Sequence, residues 1–244
     1  MGLVLNWNVV WDNFPTIWAA ALVTIGISFV AIVAGLVLGA GVATVRMSHI
    51  RLLRFIVIAY VEVFRATPLL VQLYVIYFAL ARYVKLDNMT SGLVGLTLYT
   101  TAYCSEILRA GLESVPAGQQ LAGRSLGFTG WQIFRYVTLA QALKNIGPPL
   151  TNQFIDTTLS SSVVSVIGGV ELTQTATILV AQTFHPFEIY AAVAGVYLVV
   201  TFLLANLFGH IGAIVRAPRR LTLILLGRKT ARQAFPPSLG GVGR

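Results

Sequence analysis

The chain has 244 residues, of which 57% are hydrophobic and 10% charged, with a formal net charge of +9. A soluble globular domain is about a quarter charged, so this composition excludes an ordinary soluble fold and points to the membrane. Nucleic acid is not indicated, because the cations sit at the borders of apolar runs, and the single cysteine, Cys104, excludes an internal disulfide and resembles no metal site.

Residues 1–15 read as an outer-surface lead-in. They lack the basic start of a cleavable signal, and Trp7, Trp11 and Trp18 suit an interfacial anchor. A span needs ~20 mostly apolar residues. Five windows qualify: 17–45, 52–81, 93–108 with its flanks, 148–170 and 187–215. Their runs are continuously apolar rather than alternating, so they predict helices and not a barrel. The expectation is an all-α membrane protein with five transmembrane helices in one membrane domain over 16–215, followed by a basic tail over 216–244. Residues 221–226 are expected at the membrane surface and 236–244 to be disordered. Arg65-Ala66-Thr67-Pro68 interrupts the second window, where proline removes a backbone donor.

Lys and Arg follow the first window at 46, 51 and 54, stand at 109, 124, 135 and 144 between the third and fourth windows, and follow the last window; only Arg65, Arg82 and Lys85 fall elsewhere. The positive-inside rule then predicts an outside N-terminus and a cytoplasmic C-terminus. The basicity is topological, with some attraction to anionic lipid.

A polar island over 113–145 separates the third and fourth windows. Pro116 with Gly118 marks a break, 119–126 predicts a short helix, and Gly127 to Gly130 predicts its end. Ala122, Gly123 and Ser125 would form a small face for close approach, with Arg124 beside it and Gly127 freeing the backbone. Such a helix is a handle for a soluble partner; the alternative is an ordinary solvated loop.

Ionisable residues inside spans are expensive and are usually paired or pore-facing. Glu62 and Arg65 are three apart and share a helix face; they read as an ion pair holding the Pro68 kink or as pathway residues. Asp156 stands beside a hydroxyl-rich run containing Thr157, Thr158, Ser160 and Ser161. Carboxylate and hydroxyls could hold an ammonium or guanidinium group, or they could form a polar helix–helix seam. Glu106 and Arg109 read as an interfacial pair. No phosphate-binding G-x-x-x-x-G-K-[ST] motif, catalytic triad or metal cluster is apparent, so no enzyme is expected.

The blocks E-V-F-R-A-T-P-L-L-V-Q-L at 62–73, A-Y-C-S-E-I-L-R-A-G-L-E-S-V-P-A-G-Q at 102–119, P-P-L-T-N-Q-F-I at 148–155 and S-V-I-G-G-V-E-L-T at 165–173 resemble permease subunits of binding-protein-dependent ABC importers of the polar amino-acid family. The resemblance covers about residues 12–215 and implies a type I importer permease fold. It identifies the island as the family's coupling loop, with Gly118, Gln119, Ala122, Gly123, Arg124 and Gly127 toward an ATPase. It implies an inner-membrane protein importing polar or charged amino acids or opines. It also implies a second permease, two cytoplasmic ATPase subunits carrying ATP and Mg²⁺, and an extracytoplasmic binding protein. Glu62, Arg65, Asp156, Thr158 and Ser161 become its expected pathway. The chain departs from the family pattern at Leu121, Gly123 and Ala140 in the loop and at Thr157, Thr158 and Leu159 in span four. A secondary transporter or channel would usually show inverted repeats, which are absent here. A non-transporting assembly subunit would place no demand on Glu62, Arg65 or Asp156.

Overall fold

The computed structural model describes residues 5–216, and every regular element among them is a helix. Apart from Arg216, the basic tail lies outside the described residues, as do residues 1–4. The helices are α1 (Asn8–Asp12), α2 (Phe14–Arg46), α3 (Arg51–Ala66), α4 (Leu69–Val75), α5 (Ala81–Val84), α6 (Asn88–Glu113), α7 (Ala117–Ser125), α8 (Gly130–Gln132), α9 (Leu139–Ser160), α10 (Leu172–Thr183) and α11 (Pro186–Arg216). Two wider π-helical turns, Ile76–Leu80 and Ile133–Thr138, and a 3₁₀ segment, Ser161–Ile167, join some of them.

Among the described residues two helices, Phe14–Arg46 and Pro186–Phe208, are long and apolar enough to cross a membrane, and each of two bent pairs adds one more if it counts as a single span. The remaining expected span, α6, reaches about 39 Å at 1.5 Å per residue but is not apolar enough to be recognised by composition. Its position explains this. It packs against α2, α3, α4 and α9 at the centre of the structure, so its neighbours are protein rather than lipid. Apart from Leu96, its buried residues are small or hydroxylic, including Ser91, Gly92, Gly95, Thr100, Thr101 and Ser105. Small residues let backbones approach closely where lipid offers no competing hydrophobic drive. On α2, a Cβ at Gly35 would lie 2.7 Å from Thr100 Cγ2, and one at Gly39 would lie 2.9 Å from Cys104 Cβ. At the other end of α6, Gly111 lies directly against Ile146 of α9. Large apolar side chains such as Phe29, Val37, Phe55 and Phe202 stay exposed on the outer surface, where lipid would cover them.

The second expected span is sharply broken. Pro68 forces Thr67 into extended backbone, with φ −118° and ψ 145°, and α3 and the helix beginning at Leu69 bend by 116°. The break is held by Gln72, whose Nε2 donates to the Phe64 carbonyl at 2.8 Å and the Thr67 carbonyl at 2.9 Å. These carbonyls belong to the end of α3 and would otherwise lack partners. The expected Glu62–Arg65 pair does not hold the kink, because both side chains turn to other partners.

Candidate functional site

The island folds as a compact unit. Pro116, with ψ 136°, ends the exit from α6, and α7 follows. Gly127 has φ +78°. The Phe128 N–H donates to the Gly123 carbonyl at 3.1 Å, and the Gly127 N–H donates to the Arg124 carbonyl at 2.9 Å. This is the two-bond Schellman closure of a helix. A Cβ at Gly127 would meet nothing within 4 Å, so the requirement is for backbone conformation and not for space. Thr129 then caps α8 reciprocally with Gln132. The small face is corrected at Gly123, which turns inward against Ile133 and Phe128 and allows close approach within the chain. The outer surface of α7 carries Gly118, Gln119, Ala122, Arg124 and Ser125, with Leu121 and Leu126 strongly exposed beside them.

Along α6, the side chains of Tyr99, Tyr103, Glu106, Arg109 and Glu113 recur every three or four residues and share one face. Glu106 is the hub. It accepts from Arg46 of α2 and from Arg109, and it lies 3.9 Å from Arg65 of α3. Arg109 also pairs with Glu113. Glu62 faces Arg46 at 3.6 Å. The structure thus brings Glu62 and Arg65 into one cluster, each joined to a different helix. The Arg65 guanidinium stands 5.7 Å from the Tyr103 ring centroid, a cation–π geometry. Tyr103 and Tyr99 have ring centroids 4.7 Å apart, and the Tyr99 hydroxyl donates to Asp156 Oδ2 at 3.0 Å. A polar track therefore runs along α6 from Asp156 to Glu113.

Thr158 and Ser161 lie off this track. Two residues along a helix is a turn of about 200°, so Thr158 points away from Asp156. It lines an apolar cavity of about 420 Å³ between α2, α9 and α11. Its hydroxyl bonds back to the Phe154 carbonyl at 2.9 Å, and that of Ser161 to the Thr158 carbonyl at 2.7 Å. Both residues are buried. The hydroxyl run mainly satisfies itself within the helix.

Sequence reasoning missed Glu171, which is fully buried. It caps α10 by accepting from the Gln174 N–H at 2.8 Å, and it also accepts from the Tyr197 hydroxyl at 3.0 Å and from Thr24 at 3.4 Å. One carboxyl thereby ties α2, α10 and α11 together. The available signal was position: Glu171 is the only Asp or Glu between Asp156 and Glu188, just after the turn at Gly168 and Gly169.

Residues 31–216 match the family model of the binding-protein-dependent transport system inner membrane component. A probable glutamine ABC transporter permease of Bacillus subtilis is 38% identical over 198 residues, covering 81% of this chain and 92% of its own length. The octopine transport system permease of Rhizobium meliloti is 33% identical over 222 residues, covering 87% and 91%. Among solved structures, an amino acid ABC transporter crystallised with histidines superposes with a TM-score of 0.81 at 35% identity, over 86% of this chain and 99% of that one. An inward-facing methionine ABC transporter shares the fold at a TM-score of 0.64 and 22% identity. With the capped loop helix, the broken second span and these matches together, the chain belongs to the family of inner-membrane components of binding-protein-dependent ABC importers.

Proposed function

We propose that this chain, with an identical or homologous second permease, lines the path by which an importer carries polar or charged amino acids or opine-type derivatives inward. The observation that carries this reading is the pair of opposite charges on the α6 track. The Asp156 carboxylate is partly accessible and has one donor among the described residues, Tyr99; the Arg65 guanidinium is partly accessible over Tyr103. An amino acid bears an ammonium and a carboxylate, and the track offers a partner for each. Relatives named for glutamine and octopine transport support that class. The basic borders of the spans support an outside N-terminus and a cytoplasmic island and C-terminus. There α7, with exposed Leu121 and the neighbouring Leu126, meets one of two separate ATPase subunits, which hold ATP and Mg²⁺. A binding protein delivers substrate on the other side.

The test is uptake by the reconstituted complex. Losing a charge-assisted hydrogen bond costs ~1.5–3 kcal/mol, so Asp156→Asn should lower uptake by about 10- to 100-fold with assembly intact. Thr158→Val, away from the track, should have a small effect. Normal uptake by Asp156→Asn, with the complex falling apart in detergent, would make Asp156 a helix–helix contact and end this assignment.

A further inference from the structure

We propose that the cleft between the α2–α3 turn and the end of α6 binds the phosphate of an anionic phospholipid headgroup. The cleft has a volume of about 340 Å³ and is lined by Arg46, Met47, Arg54, Ile58, Arg109 and Glu113. The lining carries three guanidinium groups and one carboxylate, with Glu106 and Glu62 also paired to these arginines. Arg46 and Arg109 are held in place by Glu106, and Arg109 also by Glu113. Each guanidinium carries five N–H donors, so these bonds leave donors for a further acceptor. Arg54 is exposed, and its side chain makes no hydrogen bond or ion pair among the described residues. A group of fixed cations with an uncommitted arginine at its mouth matches the several oxygens of a phosphate.

The surroundings favour a lipid as the source of that phosphate. Leu52 and Phe55, on either side of Arg54 on α3, are each 70% exposed, and Ile56 is 54% exposed. This apolar surface continues from the arginines as acyl chains continue from a headgroup. Arginines at a membrane border already attract anionic lipid; the cleft adds a defined seat. The inference rests only on insertion of the chain in a membrane, and the proposed orientation decides only which leaflet supplies the lipid.

The test titrates the full chain, purified in uncharged detergent, with phosphatidylglycerol and with phosphatidylcholine of the same acyl chains, and reads bound lipid by native mass spectrometry. Phosphatidylglycerol should bind at least about tenfold more tightly, and Arg54→Gln should remove about that factor, the loss of one charge-assisted hydrogen bond. Arg51→Gln, an exposed arginine outside the cleft, should leave binding nearly unchanged. Three results would each overturn the proposal: equal binding of the two lipids, equal losses in the two variants, or displacement of phosphatidylglycerol by millimolar inorganic phosphate. The second would indicate diffuse charge, and the third a site for free anions. The Arg54 side chain has no partner among the described residues, so Arg54→Gln should unfold at the parent temperature.

Discussion

Replacing Glu106 with Gln keeps the size of the side chain and removes the charge on which three arginines converge. The side chains of Arg46 and Glu106 are only 12% and 19% exposed, whereas that of Glu62 is 60% exposed at 3.6 Å from Arg46. Removing one partner of a buried pair costs ~3–5 kcal/mol. Because water still reaches a fifth of Glu106, the loss should be somewhat smaller, roughly 2–4 kcal/mol. Glu62→Gln breaks an exposed pair and should cost ~0–1 kcal/mol. At roughly 2–4 °C per kcal/mol for a chain of this size, Glu106→Gln should lower the unfolding midpoint in detergent by about 5–15 °C. Glu62→Gln should lower it by less than about 4 °C. The contrast is the test, because detergent shifts both midpoints alike. Equal shifts would show that burial does not set the strength of this cluster, and Glu106 would lose its place as the hub.

Gly127→Ala places a side chain at φ +78°, at a cost of ~1–2 kcal/mol; amide exchange should rise at Gly123–Phe128, and unchanged protection would remove the Schellman closure from the account. Gly111→Ala drives a methyl into Ile146 and should cost ~1–3 kcal/mol; combined with Ile146→Ala it should cost less than the sum of the two single changes, and simple additivity would mean that the helices separate freely there. For topology, a cysteine at exposed Ser125 should label only from the cytoplasmic side and one at exposed Thr177 only from outside, with Cys104 buried and silent. The reverse pattern would overturn the proposed orientation.

The long apolar helices were legible because lipid demands apolar side chains over a whole span, which leaves a continuous run in the sequence. The end of α7 was legible because Gly127 meets a local backbone requirement. What escaped depends on neighbours distant in sequence. Spacing showed that Glu62 and Arg65 share a face, but it could not show that Arg46 and Glu106 stand opposite them on α2 and α6. The proline announced a break, while the 116° bend also depends on Gln72 and on Leu69 and Leu73 being buried beside α6. Asp156 and Thr158 looked like one cluster in the sequence because they are two residues apart, which on a helix means nearly opposite directions. Glu171 escaped because burial of a carboxyl is a property of three helices meeting.

The island is tied to two helices at once. Three residues, Ser114 to Pro116, separate α7 from α6, and Asn145 of α9 donates to the Ser114 hydroxyl at 2.8 Å. Gly123 of α7 rests on Ile133, at the start of the π turn that leads into α9. Val115, Ala142 and Ile146 then close the junction between α6 and α9 with a dry contact. Close packing of this kind passes displacement on rather than absorbing it. A force on α7 is therefore delivered jointly to the ends of α6 and α9, about two turns of α6 away from Glu106. Near this end of α6 the bonds to α2 and α3 are ionic, Glu106 to Arg46 and Arg65, whereas further along Tyr60 of α3 donates to the Leu98 carbonyl at 2.6 Å. Ion pairs tolerate a change of distance better than interlocked side chains do. If α7 is displaced, the Glu106 cluster is the part of the contact with α2 and α3 that can yield first, because the Gly35–Thr100 and Gly39–Cys104 contacts further along α6 are interlocked.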